Sequence, residues 1–344
     1  KVLFNVNSEG QHHDLHCNNW SEIGHQILGP MSDAECKVLT QTFCPEQIES
    51  VTQVSGRGNS RIYRILTNSG TAYALKSYPD LLIDPRLRLR NEVKACSLLE
   101  HMKLTPRSVA HDEELNLALF EWIDGEVPET IETTHIDQAL AFVKILKKFS
   151  EDFQNEFPEA SEACLSGAEL FSQVQERIRK LESINNLELQ NFLQTSIKPL
   201  WDEIQGWSES KWPAVSFRKE LAQSKQMLSP SDFGFLNSLQ RIDGSLCFID
   251  LEYFGRDDPV KLIADFLWHP AMDLKPAHDT NCLRGMFEIF DQDLELPQRF
   301  RAAWPLYGMR WALIVLNEFL PELAQKRRDV NGSKPYLSLI HIFR

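Results

Sequence analysis

No two cysteines of this chain form a Cys-x-x-Cys pair: Cys17, Cys36, Cys44, Cys96, Cys164, Cys247 and Cys282 stand singly. Such scatter argues against a disulfide framework and fits the reduced, mostly buried thiols of a cytosolic protein. Long apolar runs are also missing, none approaching the ~20 residues that a bilayer-crossing helix needs. The start lacks the arrangement of a secretory leader, so a soluble cytoplasmic protein without a membrane partner is expected. Positive charge is scarce: 36 Lys and Arg against 49 Asp and Glu leave a net charge of −13. A nucleic-acid backbone is thereby disfavoured as the main partner, because counterion release needs clustered Lys and Arg. An acidic surface instead attracts cationic substrates. Low-complexity tracts are absent and 42% of residues are hydrophobic, which excludes global disorder. What remains is a chain of 344 residues, long enough for one large domain or two joined lobes.

The chain opens on Lys1 rather than Met, as in a fragment or processed protein, and residues 1–45 carry little pattern. His12, His13, His16 and Cys17 fit no structural-zinc spacing and read as a solvated polar segment. Ser32 followed by Glu35 is a capping-box signature for a short helix over 32–43. Between 48 and 78 the pattern becomes β-prone. Ser50-Val-Thr-Gln-Val, Arg61-Ile-Tyr-Arg-Ile-Leu and Thr71-Ala-Tyr-Ala-Leu-Lys are separated by Ser55-Gly-Arg-Gly-Asn-Ser and Thr67-Asn-Ser-Gly, which predicts three antiparallel strands. Gly56 and Gly58 in the first turn could lay backbone N–H groups over phosphates, although glycines are also ordinary turn punctuation. Lys76 closes an apolar strand, where an ammonium either snorkels to water or meets a buried anion.

A helix is expected over 85–102, with Val93, Cys96, Leu99 and Met102 on one stripe and Glu92 beside it, either solvated or facing Lys76. Strands Ser108-Val-Ala-His and Leu117-Ala-Leu-Phe-Glu-Trp-Ile follow and end at Asp124-Gly125, a natural lobe boundary. Apolar residues then recur at three and four: Ile136, Leu140, Val143, Leu146 and Phe149; Leu170, Val174, Ile178 and Leu181; Phe192, Ile197, Leu200 and Ile204. Further helices are expected over 217–227, from Ile263 onward and over 306–323. The implied architecture is α+β, with two lobes. Residues 1–45 form an extension, 46–125 a β-rich lobe and 126–336 a helical lobe, while 337–344 read as foreign to the fold.

The most informative stretch is 228–258. Ser229, Pro230, Ser231 and Gly234 are turn formers around Asp232 and Asn237, so a turn rather than a helix holds both side chains. Leu246-Cys247-Phe248-Ile249 reads as a buried strand after an Asp243-Gly244 hairpin turn, which puts Asp250 at a strand end. A carboxylate leaving an apolar strand suits a metal ligand, since its burial needs a cation to offset it. Asp and Asn in such a loop equally bond their own backbone, and Asp250 equally caps a helix.

Taken in order, a Gly-containing strand turn, a strand Lys, a helix Glu, a strand ending Glu-x-Ile-x-Gly, an Asp-x4-Asn loop and an Ile-Asp after a strand resemble the aminoglycoside phosphotransferase and choline kinase-like family, relatives of the protein kinases. The resemblance covers about residues 48–320 and implies a protein-kinase-like fold: a small antiparallel lobe that binds nucleotide and a larger helical lobe. It also implies transfer of the γ-phosphoryl group of ATP, with Mg²⁺, to a hydroxyl of a small molecule such as a sugar, amino sugar or amino alcohol. Asp232 matches the catalytic Asp, and Asn237 and Asp250 the two metal ligands. Lys76, held by Glu92, matches the Lys on the α- and β-phosphates. Gly56, Gly58, Asn59 and Ser60 fall on the nucleotide-covering loop, while the C=O of Glu121 and N–H of Ile123 fall at the adenine edge.

The chain departs from that family in two places. Pro230-Ser231-Asp232 stands where the family has His-Gly-Asp, and Leu262-Ile263-Ala264 where it has Asp-Leu-Ala, with Asp265 a structural substitute. These changes motivate an alternative, a nucleotide-binding scaffold without transfer activity. Protein-kinase activity is disfavoured by Asp250-Leu-Glu in place of Asp-Phe-Gly. The acceptor pocket is expected near Glu252, Tyr253, Asp257, Asp258, Trp268 and His269, which equally read as structural or surface residues; acidic groups there favour a cationic acceptor and bidentate polar groups a sugar.

Overall fold

A computed structural model describes residues 5–6, 12–13, 32–54, 60–82, 84–213, 217–272 and 274–320. The calls on His16, Cys17, Gly56, Gly58, Asn59 and the tail 337–344 lie outside the described residues. The first elements are two short paired strands, β1 (Asn5–Val6) and β2 (His12–His13). Helix α1 (Asp33–Gln41) starts at the expected capping box: the Glu35 N–H donates to Ser32 Oγ and the Ser32 N–H donates to Glu35 Oε2 at 2.9 Å.

The three predicted strands form, as β3 (Ile48–Val54), β4 (Arg61–Thr67) and β5 (Ala72–Ser77), and join β6 (Ser108–Asp112) and β7 (Leu117–Glu121) in an antiparallel sheet of order β3-β4-β5-β7-β6. Gly70, at φ +85°, supplies the left-handed residue of the turn between β4 and β5. Strand periodicity then sorts the two faces. Tyr63, Ile65, Tyr73, Leu75, Leu117 and Leu119 share one buried cluster with Cys36 of α1. The alternate residues Ala74, Ala118 and Phe120 pack into the main core, and Lys76, in register with Ala118, shares their side of the sheet. Helix α2 (Arg88–Leu99) lies there, three residues shorter at its start than expected, with a 3₁₀ turn at Glu100–Met102. Its buried stripe is Leu89, Glu92, Ala95, Cys96 and Leu99, so Glu92 points inward while Met102 is exposed.

The rest is mainly helical: α3 (Thr133–Phe153), α4 (Gly167–Glu182), α5 (Leu187–Phe192), α6 (Lys198–Lys211), α7 (Pro259–Trp268), α8 (Pro276–Ile289) and α9 (Leu296–Leu316). The periodic run at 192–204 is helical throughout, but it passes through a π-helical segment, Leu193–Ile197, just before Pro199. A proline withholds an N–H from the preceding turn, which accounts for the widened ladder. The last helix begins ten residues earlier than expected, at Leu296. No described helix is long and apolar enough to cross a membrane.

One predicted helix is absent. Over 217–227 the chain makes turns, a 3₁₀ turn at Gln223–Lys225 and then strand β9 (Met227–Ser229), paired antiparallel with β12 (Gly255–Asp257). The apolar residues there face separate partners. Phe217 packs edge-on against Phe171 and Trp212, while Gln226 Nε2 donates to Leu221 O at 2.8 Å. At the expected lobe boundary, β8 (Gly125–Glu126) pairs with β10 (Ser238–Arg241), which forms the predicted hairpin with β11 (Leu246–Phe248). Only glycine fits at 125, since a Cβ would lie 2.6 Å from Gln240 O.

An aromatic stack fastens the 230–237 loop to this framework. Phe142 of α3 stacks on Phe248 at 4.3 Å and on Phe233 at 5.7 Å, and Phe233 stacks on Phe266 of α7 at 5.2 Å. Phe142→Ala should cost about 3–5 kcal/mol of stability, measured as a fall in the urea midpoint without a change of slope. Elsewhere, Glu162 ties two helices, pairing with Arg177 of α4 and with Arg310 of α9 at 2.9 Å. Burial alone would raise its pKa, but the two guanidinium groups hold it at about 2. That stabilisation is complete above the carboxylate's ordinary 4.5 and is lost as pH falls through about 2. Glu162→Gln should therefore cost about 1 kcal/mol or less at pH 7, because the carboxylate is half-exposed. In urea titrations the gap to wild type should close as pH is lowered toward 2.

Candidate active site

Three short strands present the loop residues. β9 delivers the chain to Pro230, the 3₁₀ turn Phe235–Asn237 returns it to β10, and β11 ends just before Ile249 and Asp250. Asn237 Nδ2 donates to Asp232 O at 2.9 Å, and the Ile249 N–H donates to Asn237 O at 2.8 Å. Asp232, Asn237 and Asp250 are thus locked to one another through backbone atoms. Because the Asn237 amide nitrogen is engaged, its oxygen is the end left for a ligand. Ser231 and Asp250 both take left-handed backbone, at φ +67° and +62°. Asp is among the few non-glycine residues that tolerate this region, so Asp250 is a bend residue. The helix N-cap is Asp258 instead, accepting from the Val260 N–H at 2.9 Å.

From the sheet side, Lys76 meets this loop. Its ammonium contacts Glu92 Oε2 at 2.6 Å, Glu252 Oε2 at 3.1 Å and Asp250 Oδ1 more closely still. Burial works against the charge, but the carboxylates of Asp250, Glu92 and Glu252 outweigh it, and the Lys76 pKa stands well above its ordinary value. Glu92 is pushed up by burial and by the other two carboxylates, against the pull of Lys76; Tyr78 donates to it at 2.7 Å. Glu252 also pairs with Arg88 and accepts from Ser60 Oγ at 2.7 Å.

Carboxylate oxygens of Glu92, Asp250 and Glu252 lie within 4.8 Å of one another. Lys76 and Arg88 balance only two of those three charges. A divalent cation at Asp250 and the Asn237 oxygen fits both the donor types and the residual negative charge. Asp232 is half-buried. Burial raises its pKa, His269 opposes that, and Asp250 adds to it. A carboxylate tuned upward is a better proton acceptor near neutral pH.

The structure therefore brings Asp232, Asn237, Asp250, Lys76, Glu92 and Ser60 together. Glu121 ends β7, where its side chain accepts from the Arg107 N–H at 3.3 Å, and buried Ile123 follows two residues later. The expected acceptor pocket needs correction. Asp257 is fully buried against Lys261 at 3.1 Å, and Asp258 pairs with Arg299 at 3.1 Å, so both carry structure rather than line a pocket. Glu252 belongs with Lys76. His269 does lie beside Asp232, its ring tilted against Trp311 at 4.4 Å. Trp268 packs tilted against Trp304 at 4.6 Å. Sequence reasoning missed Arg88 and Lys261, charged helix residues that look solvated until packing buries them.

Comparison with solved structures finds the same fold at low sequence identity. A Plasmodium vivax ethanolamine kinase matches with a TM-score of 0.52 at 15% identity, covering 90% of each chain. A spectinomycin phosphotransferase, solved with ADP and spectinomycin, matches with a TM-score of 0.57 at 14% identity, covering 90% of this chain and 92% of its own. An amicoumacin kinase, solved with AMP-PNP and Ca²⁺, gives 0.54 at 16% identity, covering 92% and 97%. No curated protein sequence matches. The family model of the phosphotransferase enzymes (APH) spans residues 50–295, well over half of the chain and including every site residue named above, so the chain belongs to the phosphotransferase enzyme family.

Proposed function

We propose that this protein transfers the γ-phosphoryl group of ATP to a hydroxyl of a small molecule, with Asp232 as general base. The observation that carries this reading is that Lys76 contacts Glu92 and Asp250 directly, while Asn237 contacts Asp232 and, through the Ile249 N–H, the chain next to Asp250. Asn237 and Asp250 would hold Mg²⁺, which neutralises charge on the phosphates when bound. Lys76, oriented by Glu92, grips the α- and β-phosphates. Gly56, Gly58, Asn59 and Ser60 would supply the nucleotide-covering loop, and the Glu121 C=O and Ile123 N–H would bind the adenine edge. Asp232 accepts the proton of the acceptor hydroxyl as its oxygen attacks phosphorus in line and ADP leaves, so the protein's own work is positioning and proton transfer. The three solved relatives are named for ethanolamine, spectinomycin and amicoumacin. A sugar, amino sugar or amino alcohol is the class proposed here, a cationic one being favoured by the acidic chain.

The alternative, a scaffold that binds nucleotide without transfer, draws on the absent loop histidine. The complete set of carboxylates and the raised Asp232 pKa favour transfer. Purified protein with Mg²⁺-ATP, tested against aminoglycosides, amino alcohols and sugars by ADP release, should show one acceptor-dependent activity. Asp232→Ala should lower its kcat about 10²- to 10⁴-fold while ATP still raises Tm; turnover equal to wild type would reject the assignment. Asp250→Asn should abolish the Mg²⁺-dependent part of the ATP-induced Tm rise, a linkage effect read without any acceptor.

A further inference from the structure

We propose that Lys261 and Ser231 are positioning residues that set Asp232 for proton transfer, an inference that rests on reading Asp232 as the base. Ser231 immediately precedes Asp232 and sits at φ +67°, a left-handed region that non-glycine residues adopt only at a cost. Tertiary contacts hold it there. The Ser231 hydroxyl donates to Ser161 O at 2.8 Å and accepts from Lys261 Nζ at 2.9 Å, so its rotation is fixed from both sides. The Ser161 N–H in turn donates to Tyr253 O at 3.1 Å, three residues beyond Asp250. One hydroxyl therefore links the residue before the base to the loop that carries the metal-binding carboxylate.

Lys261 cannot swing away. It is 1% exposed on α7 and is gripped one turn to either side by Asp257 at 3.1 Å and Asp265 at 3.4 Å. Each partner is itself tied down. Asp257 accepts from the N–H groups of Cys164 at 3.0 Å and Asp258 at 2.9 Å, and Asp265 accepts from Trp311 Nε1 at 2.9 Å and pairs with Arg310 at 3.2 Å. The ammonium thus lies at ion-pair distance from Asp257 and Asp265 while it hydrogen-bonds Ser231. A buried ion cluster adds little net stability over apolar packing, whereas a charge held this rigidly fixes the atom it donates to.

The test uses Ser231→Ala, Lys261→Met and the double variant, with kcat and KM for ATP measured on the identified acceptor and deuterium uptake followed over 229–237. Each single variant should lower kcat about tenfold to a hundredfold with KM for ATP within about twofold. The double should be no worse than the more severe single, since both act through one hydrogen bond. Uptake over 229–237 should rise in each. Ser231→Ala leaves Lys261 in its ion pairs, so it carries the test alone where Lys261→Met does not fold. Wild-type kcat in Ser231→Ala, a loss confined to KM for ATP, or additive losses in the double would overturn the inference. Exchange separates the two readings: unchanged uptake in Ser231→Ala overturns the positioning role even where wild type is active. A wild type inactive on every acceptor overturns the reading of Asp232 instead.

Discussion

One buried ammonium holds this site together. Lys76 brings a strand of the antiparallel sheet, a helix packed on that sheet and the loop after β11 to within ion-pair distance of a single nitrogen. Each of its carboxylates would be costly to bury alone, and a lysine without them would discharge. Together they make a cluster that is stable only when sheet, helix and loop occupy their native places. Sheet, helix and loop meet at this cluster, so assembling the fold also assembles it.

Behind the loop stands a second buried cluster, built around Lys261 with Asp257, Asp265, Arg310 and, through Arg310, Glu162. The two clusters flank the same few residues. Lys76 reaches Asp250 from the sheet, and Lys261 reaches Ser231 from the helical part, while Asn237 ties the strands between them. Aromatic packing of Phe142, Phe233, Phe248 and Phe266 fills the space beneath. Asp232 therefore sits on a base of apolar rings with charged groups gripping the chain on both sides. Such an arrangement restricts a short loop without secondary structure of its own, which positioned catalysis asks of it.

Much of this was legible in the chain. β-prone runs divided by turn residues located three strands in 48–78 and put Lys76 at the end of the third; period-three-and-four repeats located the helices through Ile204. Turn residues around Asp232 and the Asp243-Gly244 hairpin located the loop. Reading 217–227 as a helix failed because the segment turns and its end pairs as β9 with β12, and apolar spacing alone does not reveal that pairing. Placing Asp257 and Asp258 in an acceptor pocket failed for a related reason. A run of acidic residues looks like a surface until Lys261 and Arg299, distant or on the next turn, are seen to neutralise it.

Local order, then, was decided by sequence: which segments pair as strands, where turns interrupt them, and that a lysine, a glutamate, two aspartates and an asparagine recur in the order of a phosphotransferase. These features depend on side-chain periodicity and backbone preference, which act over a few residues. Tertiary structure alone decided which charges are buried and what answers them. Arg88, Glu252, Lys261 and Arg299 have ordinary polar neighbours in sequence, and their partners lie up to 192 residues away. Burial strengthens those pairings by removing water, and only the assembled fold removes water from them.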